Sequence, residues 1–465
     1  MTVRKEPAVT SSPDLPIPDL RASVKGEVIA PGDPEYDEAR RVFYGFDRRP
    51  AAVVRVANDD DVARVVTTVR ETGLELAVRS GGHSNAGHGT TDGGLVLDLS
   101  RMRALDVDVD GRAAWAETGL TAGAYTAAAA EHGLATGFGD TGSVGIGGIT
   151  LAGGIGFLVR KHGMTIDNLF AADVVTADGE LVRTDEGSHP DLFWAIRGGG
   201  GNFGVATRFQ YRLAELGQIY GGILIQPATP EVVAAFLTEA EAAPEELSMI
   251  TNVVTAPPMP FLPPEIHGQL VAMGLIVYAG SPEDGERAVA PFRAAATPLA
   301  DMVRPMRYPE MFMPAEEGYH PIASSRTMFL DELDGDAPSA IVEHLSTGTA
   351  LLRATQLRVL GGAMARVPAD ATAFANRTRR FMVSVAAVYE RPDEAAVHGP
   401  WVDELATKLR NGDVGAYVGF LGDEGEERVR EAYPPATLDR LAEIKRRYDP
   451  TNLFRLNQNV SPTPA

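Results

Sequence analysis

The run Arg79-Ser80-Gly81-Gly82-His83-Ser84 places a histidine directly after two glycines. Such a run makes a tight turn whose unpaired N–H groups cradle phosphate, with Arg79 adding charge beside it. A neutral imidazole fixed there is a nucleophile toward whatever the turn holds. The residue types fit two other readings: a solvent-exposed turn histidine, or a metal pair with His88, although no other obvious ligand accompanies that pair. A second stretch, Gly137 to Gly156, has glycine at nine of twenty positions. It is interleaved with Val144, Ile146, Ile149, Leu151 and Ile155, more aliphatics than a disordered linker carries. Glycine here therefore lets backbone amides approach something flat and anionic. A third group, Gly199, Gly201 and Gly204, satisfies G-x-G-x-x-G, but a helix precedes it and a strand follows. A dinucleotide fingerprint needs the reverse order, so this match is rejected.

The elements that must hold these residues follow from periodicity. Val62, Val65, Val66 and Val69 recur at helical spacing between Asp59 and Gly73. LELAVRS and GLVLDLS read as buried strands flanking the histidine loop. Hairpins are expected at Asp110-Gly111 and Asp178-Gly179, and an Ala-rich helix ends at Gly133. After Leu213 prolines and methionines increase, and from Thr437 a clean helix returns, stopped by Pro450. We expect an α+β chain with a discontinuous first domain: a flexible arm 1–18, a first half 19–213, an insertion 214–430 and a completing tail 431–465.

Composition narrows the function. Forty-two basic and 63 acidic residues give a net charge of −21, which argues against nucleic-acid or anionic-membrane partners. No cysteine occurs, excluding disulfides, thiolate metal sites and a catalytic thiol, and no metal is expected. No apolar run approaches a membrane span, and no apolar segment follows the early basic residues as in a secretion signal. A cytoplasmic protein is the expectation.

RSGGHS, VGIGGITLAGGIGFLVRKHGMTIDNL, DLFWAIRGGGGNFGV and YDPTNLFRLNQN together resemble the FAD-linked oxidases of the berberine bridge enzyme-like group, within the vanillyl-alcohol-oxidase or p-cresol-methylhydroxylase fold. The resemblance implies an FAD-binding domain in two parts and an inserted substrate domain on an antiparallel sheet flanked by helices. It implies FAD bonded covalently through its 8α-methyl to His83, with Arg79, Ser80, Gly81, Gly82 and Ser84 around it. Thr141, Gly142, Val144, Gly145, Gly147, Gly148 and Ile149 fall in the block approaching the pyrophosphate, Gly204 and Val205 in the adenine-side block, and Asn457 in the tail that closes over the flavin. Many relatives add a second bond from a cysteine; that position is Thr141 here, so attachment is single at most, with a lower redox potential than doubly attached members. Val144 matches a small gatekeeper that admits oxygen, or is simply an apolar turn residue.

The substrate side departs from the group's pattern. Where relatives place a carboxylate, Met382, Ser384 and Ala386 line one strand, and Gln356 with Arg358 another. Of the group's Y-x-N-Y segment only Tyr417 survives, as Tyr417-Val418-Gly419-Phe420. Tyr417 is the best candidate for base or anchor, or else packs in a core. Met302, Met306, Met311 and Met313 would suit an adaptable apolar pocket, or fill a core. The resemblance leans towards bacterial single-histidine members that tailor polyketides or similar aromatic compounds. The expected reaction is removal of hydride from a small molecule, with oxygen as acceptor and peroxide as product. An oxygenating or rearranging enzyme, and a flavin-loaded binding protein with little turnover, are the alternatives.

Overall fold

The computed structural model describes residues 17–463 apart from 314–317, 334, 411, 413 and 414. Most of the expected arm, residues 1–16, therefore lies outside the described residues. Its last two residues open a helix, Ile17–Ser23.

Two sheets build the first lobe. In one, Ala52–Arg55, Leu95–Asp98 and Leu76–Arg79 run parallel, and Glu27–Ile29 lies antiparallel on the edge. The helix Asp59–Thr72 covers this sheet with Val62, Val65, Val66 and Val69. Asn58 caps it by accepting from the Asp61 amide, and Gly73 stops it at φ +70°. The other sheet has five antiparallel strands, and its core holds Tyr125, Phe138, Phe193, Phe209 and Tyr211. One of its hairpins is not the two-residue turn expected at Asp110-Gly111. The Asp108 carboxylate accepts from the Gly111 amide at 2.8 Å, the loop spans 109–112, and Arg112 takes the left-handed conformation at φ 47°. The false fingerprint does run from helix Pro190–Ala195 through the glycines into strand Val205–Arg212.

The insertion is an antiparallel sheet of eight strands. Helices Pro230–Ala242, Pro282–Ala294, Ala337–Thr347 and Ala395–Leu409 cover one face, packing on Leu357, Val383, Val385 and Ala387. Alternation along each strand turns the other face toward the first lobe. The fold is thus α+β, with the expected interruption but shifted boundaries. Strand Ala214–Glu215 still pairs with Leu134–Ala135, so the insertion starts a few residues after 213. Ala416, Leu421, Val429 and Ala432 already lie in the first lobe's core, so the chain rejoins that lobe near 416 rather than 431.

The four methionines line no common pocket, and the alternative reading, that they fill a core, holds for two of them. Met306 and Met311 fill a small core with Phe157, Leu158 and Tyr308, while Met302 and Met313 face solvent. Met259 and Met273 instead join an apolar cluster that includes Val254 and Ala354. No described helix is long and apolar enough to cross a membrane.

Candidate functional site: a glycine-lined cleft under a polar sheet

The histidine turn leaves the end of strand Leu76–Arg79, with Gly82 at φ +73°. The amides of residues 81 to 84 have no acceptor among the described residues. The His83 ring lies on the Phe43 ring, 4.1 Å between centroids and 20° between planes. Burial pushes its pKa down to about 4, against a smaller opposing effect from its hydrogen bond to the Ser143 carbonyl. The Phe43 stack fixes the plane of the ring, and the Ser143 backbone lies close by. At neutral pH His83 is therefore an uncharged, oriented nucleophile. His88 is also held near pKa 4, mainly by burial and then by the charge of Arg48. No group of three metal ligands occurs among the described residues.

The second glycine block meets this turn backbone to backbone. A Cβ on Gly145 would stand 2.1 Å from Ser80 Oγ and 2.2 Å from the Gly81 nitrogen, and one on Gly81 would stand 2.2 Å from the Gly145 nitrogen. Ser80 bridges the two loops, donating to the Thr118 carbonyl at 2.5 Å and accepting from the Gly147 amide at 3.3 Å. Gly147 sits close against the Ser80 side chain, whereas a Cβ on Gly148 would meet nothing within 4 Å. Gly148 and the bare amides of 81–84 thus leave space and donors for an anionic, flat group. Val144 is half-buried, its carbonyl accepting from the Ala122 amide, and Gly142 accepts likewise from Gly123. Thr141 is exposed, its hydroxyl on Asp140, and Ile149 packs toward the five-stranded sheet's core.

Other expected positions play different parts. Arg79 lends no charge to the turn: its guanidinium is buried against Asp98 at 2.7 Å and on the carbonyls of Ala39 and Arg41. Gly204, at φ +154°, would clash with Val174 and Val175 if it carried a Cβ, and Val205 pairs with Val175. Both lie at the joint between the two sheets. The Ser84 carbonyl accepts from Gly87. Asn457 donates to the Phe454 carbonyl, but its Oδ1, like that of Asn459, is buried without a partner. Orphaned acceptors on the closing tail, free amides on the turn and open space over Gly148 fit a bound FAD.

Across the cleft, one sheet row carries Asn252, Gln356, Ser384 and Thr327 side by side. The first three are half-buried in mid-sheet, which marks them as cleft-facing. Gln356 is spent on its neighbours, accepting from Arg358 and donating to Asn252. Arg358 reaches the other lobe and pairs with Asp140 at 2.6 Å. Tyr417 is not at this surface. It is buried against Phe329, Phe374 and Phe420, and its oxygen accepts from the Gly154 amide at 3.0 Å. Burial raises its pKa to about 12, so the packing role displaces that of base. Phe43, Asp140 and Asn252 were missed in the sequence, because each gains its role only through partners far away in the chain.

Comparison with known proteins agrees with this geometry. The family described as FAD binding domain matches residues 50–185, and that described as berberine and berberine like matches 416–461. The chain is 31% identical to (R)-6-hydroxynicotine oxidase of Paenarthrobacter nicotinovorans over 469 residues, covering 95% of this chain and 97% of that one. It is 29% identical to xylooligosaccharide oxidase of Thermothelomyces thermophilus, covering 89% and 87%. Among solved structures, 6-hydroxy-D-nicotine oxidase from Arthrobacter nicotinovorans superposes with a TM-score of 0.83 at 27% identity, covering 95% and 99%.

Proposed function

As the chain belongs to the berberine bridge enzyme-like FAD-linked oxidoreductases, we propose that it is an oxidase carrying FAD on a single bond to His83. Its substrate is a small, largely apolar compound of the aromatic or polyketide-like kind, oxygen the acceptor and peroxide the product. When bound, FAD supplies a two-electron acceptor that oxygen can restore.

The observation that carries this reading is His83 itself. Its ring is stacked on Phe43, burial keeps it uncharged at neutral pH, and it belongs to a turn whose amides are bare. The protein contributes position and neutrality there. The amides of 81–84 and the gap over Gly148 would hold the phosphates, and the tail would close with Asn457 and Asn459. On the substrate side Gln356 and Ser384 face the cleft and bind rather than take a proton, and Val144 stands at the gatekeeper position beside the histidine turn.

The test is acid precipitation of the purified protein. Yellow colour is expected to stay with the pellet and to leave it in His83→Ala; colour in the wild-type supernatant would refute the covalent bond. Photoreduction followed by air then checks the acceptor, since flavin that stays reduced in air is incompatible with an oxidase.

A further inference from the structure

We infer that the cleft selects its substrate through the Nδ2 amide of Asn252, a hydrogen-bond donor whose direction is set from the opposite lobe by Asp140. The ligand it fits is a mostly apolar compound that presents an acceptor, a carbonyl oxygen or an unprotonated ring nitrogen.

The direction propagates through four residues. Arg358 has donors only. It is fixed by Asp140 Oδ2 at 2.6 Å and by the Ile155 carbonyl at 2.9 Å. Its Nε and Nη2 reach Gln356 Oε1 at 3.0 and 2.7 Å. The Gln356 oxygen must therefore face the arginine, which turns Nε2 toward Asn252. Asn252 must meet it with Oδ1, at 3.1 Å. Reversing either amide would set N–H against N–H and leave buried donors unmade. What remains of Asn252 is its Nδ2, which has no acceptor among the described residues.

That amide is available. Asn252 is the only residue of strand Leu247–Thr255 that is not fully buried, and it shares its row with half-buried Gln356 and Ser384. The adjoining row is apolar over Val254, Ala354 and Ala386 and turns polar only at Ser325 on the last strand. Met259, Phe261, Leu262 and Leu352 extend this wall. A donor of fixed direction beside such a wall, with only the rotatable Ser384 hydroxyl near it on the row, matches an acceptor on an apolar body. A sugar is a poor match, because most of its hydroxyls would face the apolar wall and only the Ser384 hydroxyl on this row could accept from them. The inference rests on the oxidase reading only for what happens after binding.

Two flat probes of similar size separate the cases: acetophenone, which only accepts, and indole, whose N–H only donates. Equilibrium dialysis of the flavin-loaded protein needs no turnover, so its result stands apart from the covalent-flavin and reoxidation tests. Acetophenone should bind at least about fivefold more tightly than indole, the worth of one neutral hydrogen bond. Asn252→Asp should invert the order, and Asn252→Leu should bring the two probes level. Gln356→Leu keeps Asn252 but frees its amide to turn, and should also erase the preference. Equal or reversed preference in the parent, an unchanged order in Asn252→Asp, or no binding of either probe would overturn the proposal.

Discussion

Lys445 is the most exacting place to test how the closing tail is held. Its ammonium is fully buried and bonded to Asp449 at 2.7 Å, to the Asn202 carbonyl at 2.7 Å and to the Phe454 carbonyl at 2.9 Å. Asp449 in turn accepts from the amides of Leu453 and Phe454 at 2.8 Å each. Burial lowers the lysine's pKa, while Asp449 works to keep it charged. Lys445→Met keeps the volume but strands a buried carboxylate and two carbonyls. Breaking a buried pair from one side costs about 3–5 kcal/mol. At roughly 2–4 °C per kcal/mol for a lobe of about 250 residues, the melting temperature should fall by about 6–20 °C. Urea unfolding followed by circular dichroism gives the free energy, and limited proteolysis shows whether residues 453–460 become accessible first. The double variant Lys445→Met/Asp449→Asn should recover part of the loss, since no lone charge remains. A single variant within about 1 kcal/mol of the parent, with the tail equally protected, would refute the reasoning.

Three further outcomes are expected. Gly145→Ala should lose both stability and flavin, because its Cβ meets the backbone of the neighbouring loop, whereas Gly148→Ala should melt normally in flavin-free protein yet retain less flavin by absorbance. His88 has a folded pKa near 4, below its ordinary 6.5, so the unfolded chain takes up the proton first as pH falls. Its contribution is complete above about pH 6.5 and is lost progressively down to about 4; urea midpoints across this range should fall less steeply in His88→Gln, the remaining slope coming from His83, which is depressed in the same way. Tyr417→Phe leaves the Gly154 amide unpaired and should cost about 1–3 kcal/mol in a melt while kcat and its pH profile stay put; a collapse of kcat would restore the tyrosine as a base.

How much of this could be read from the chain depended on the range of the forces involved. The Gly81 and Gly145 loops were legible because contact between backbones demands glycine, a constraint that shows in residue type alone. The interrupted domain was legible in the return of helical spacing after Thr437. Its edges were not, since the pairing of Ala214–Glu215 and the packing of Ala416 are tertiary facts. Arg79 misled because a cation beside a glycine turn looks the same whether it faces a phosphate or Asp98. The polar row on the sheet was half seen: Gln356, Arg358 and Ser384 stood out on their strands. Asn252 and Asp140 did not, because strand register and the meeting of two lobes give them their partners.

The late return of the chain to the first lobe has a consequence for how the protein is made. Ala416, Leu421, Val429, Leu441 and Ile444 complete a core begun by residues such as Ala114 and Tyr125. About 200 residues of insertion separate the two contributions, and at roughly 5–20 residues per second a ribosome needs about 10–40 s to bridge them. Throughout that interval the half-built core presents its aromatic face with no cover, while the eight-stranded sheet, whose strands are all in hand, can fold by itself. The insertion should therefore mature first, the flavin lobe should depend on chaperones until its tail emerges, and flavin loading belongs after translation rather than during it.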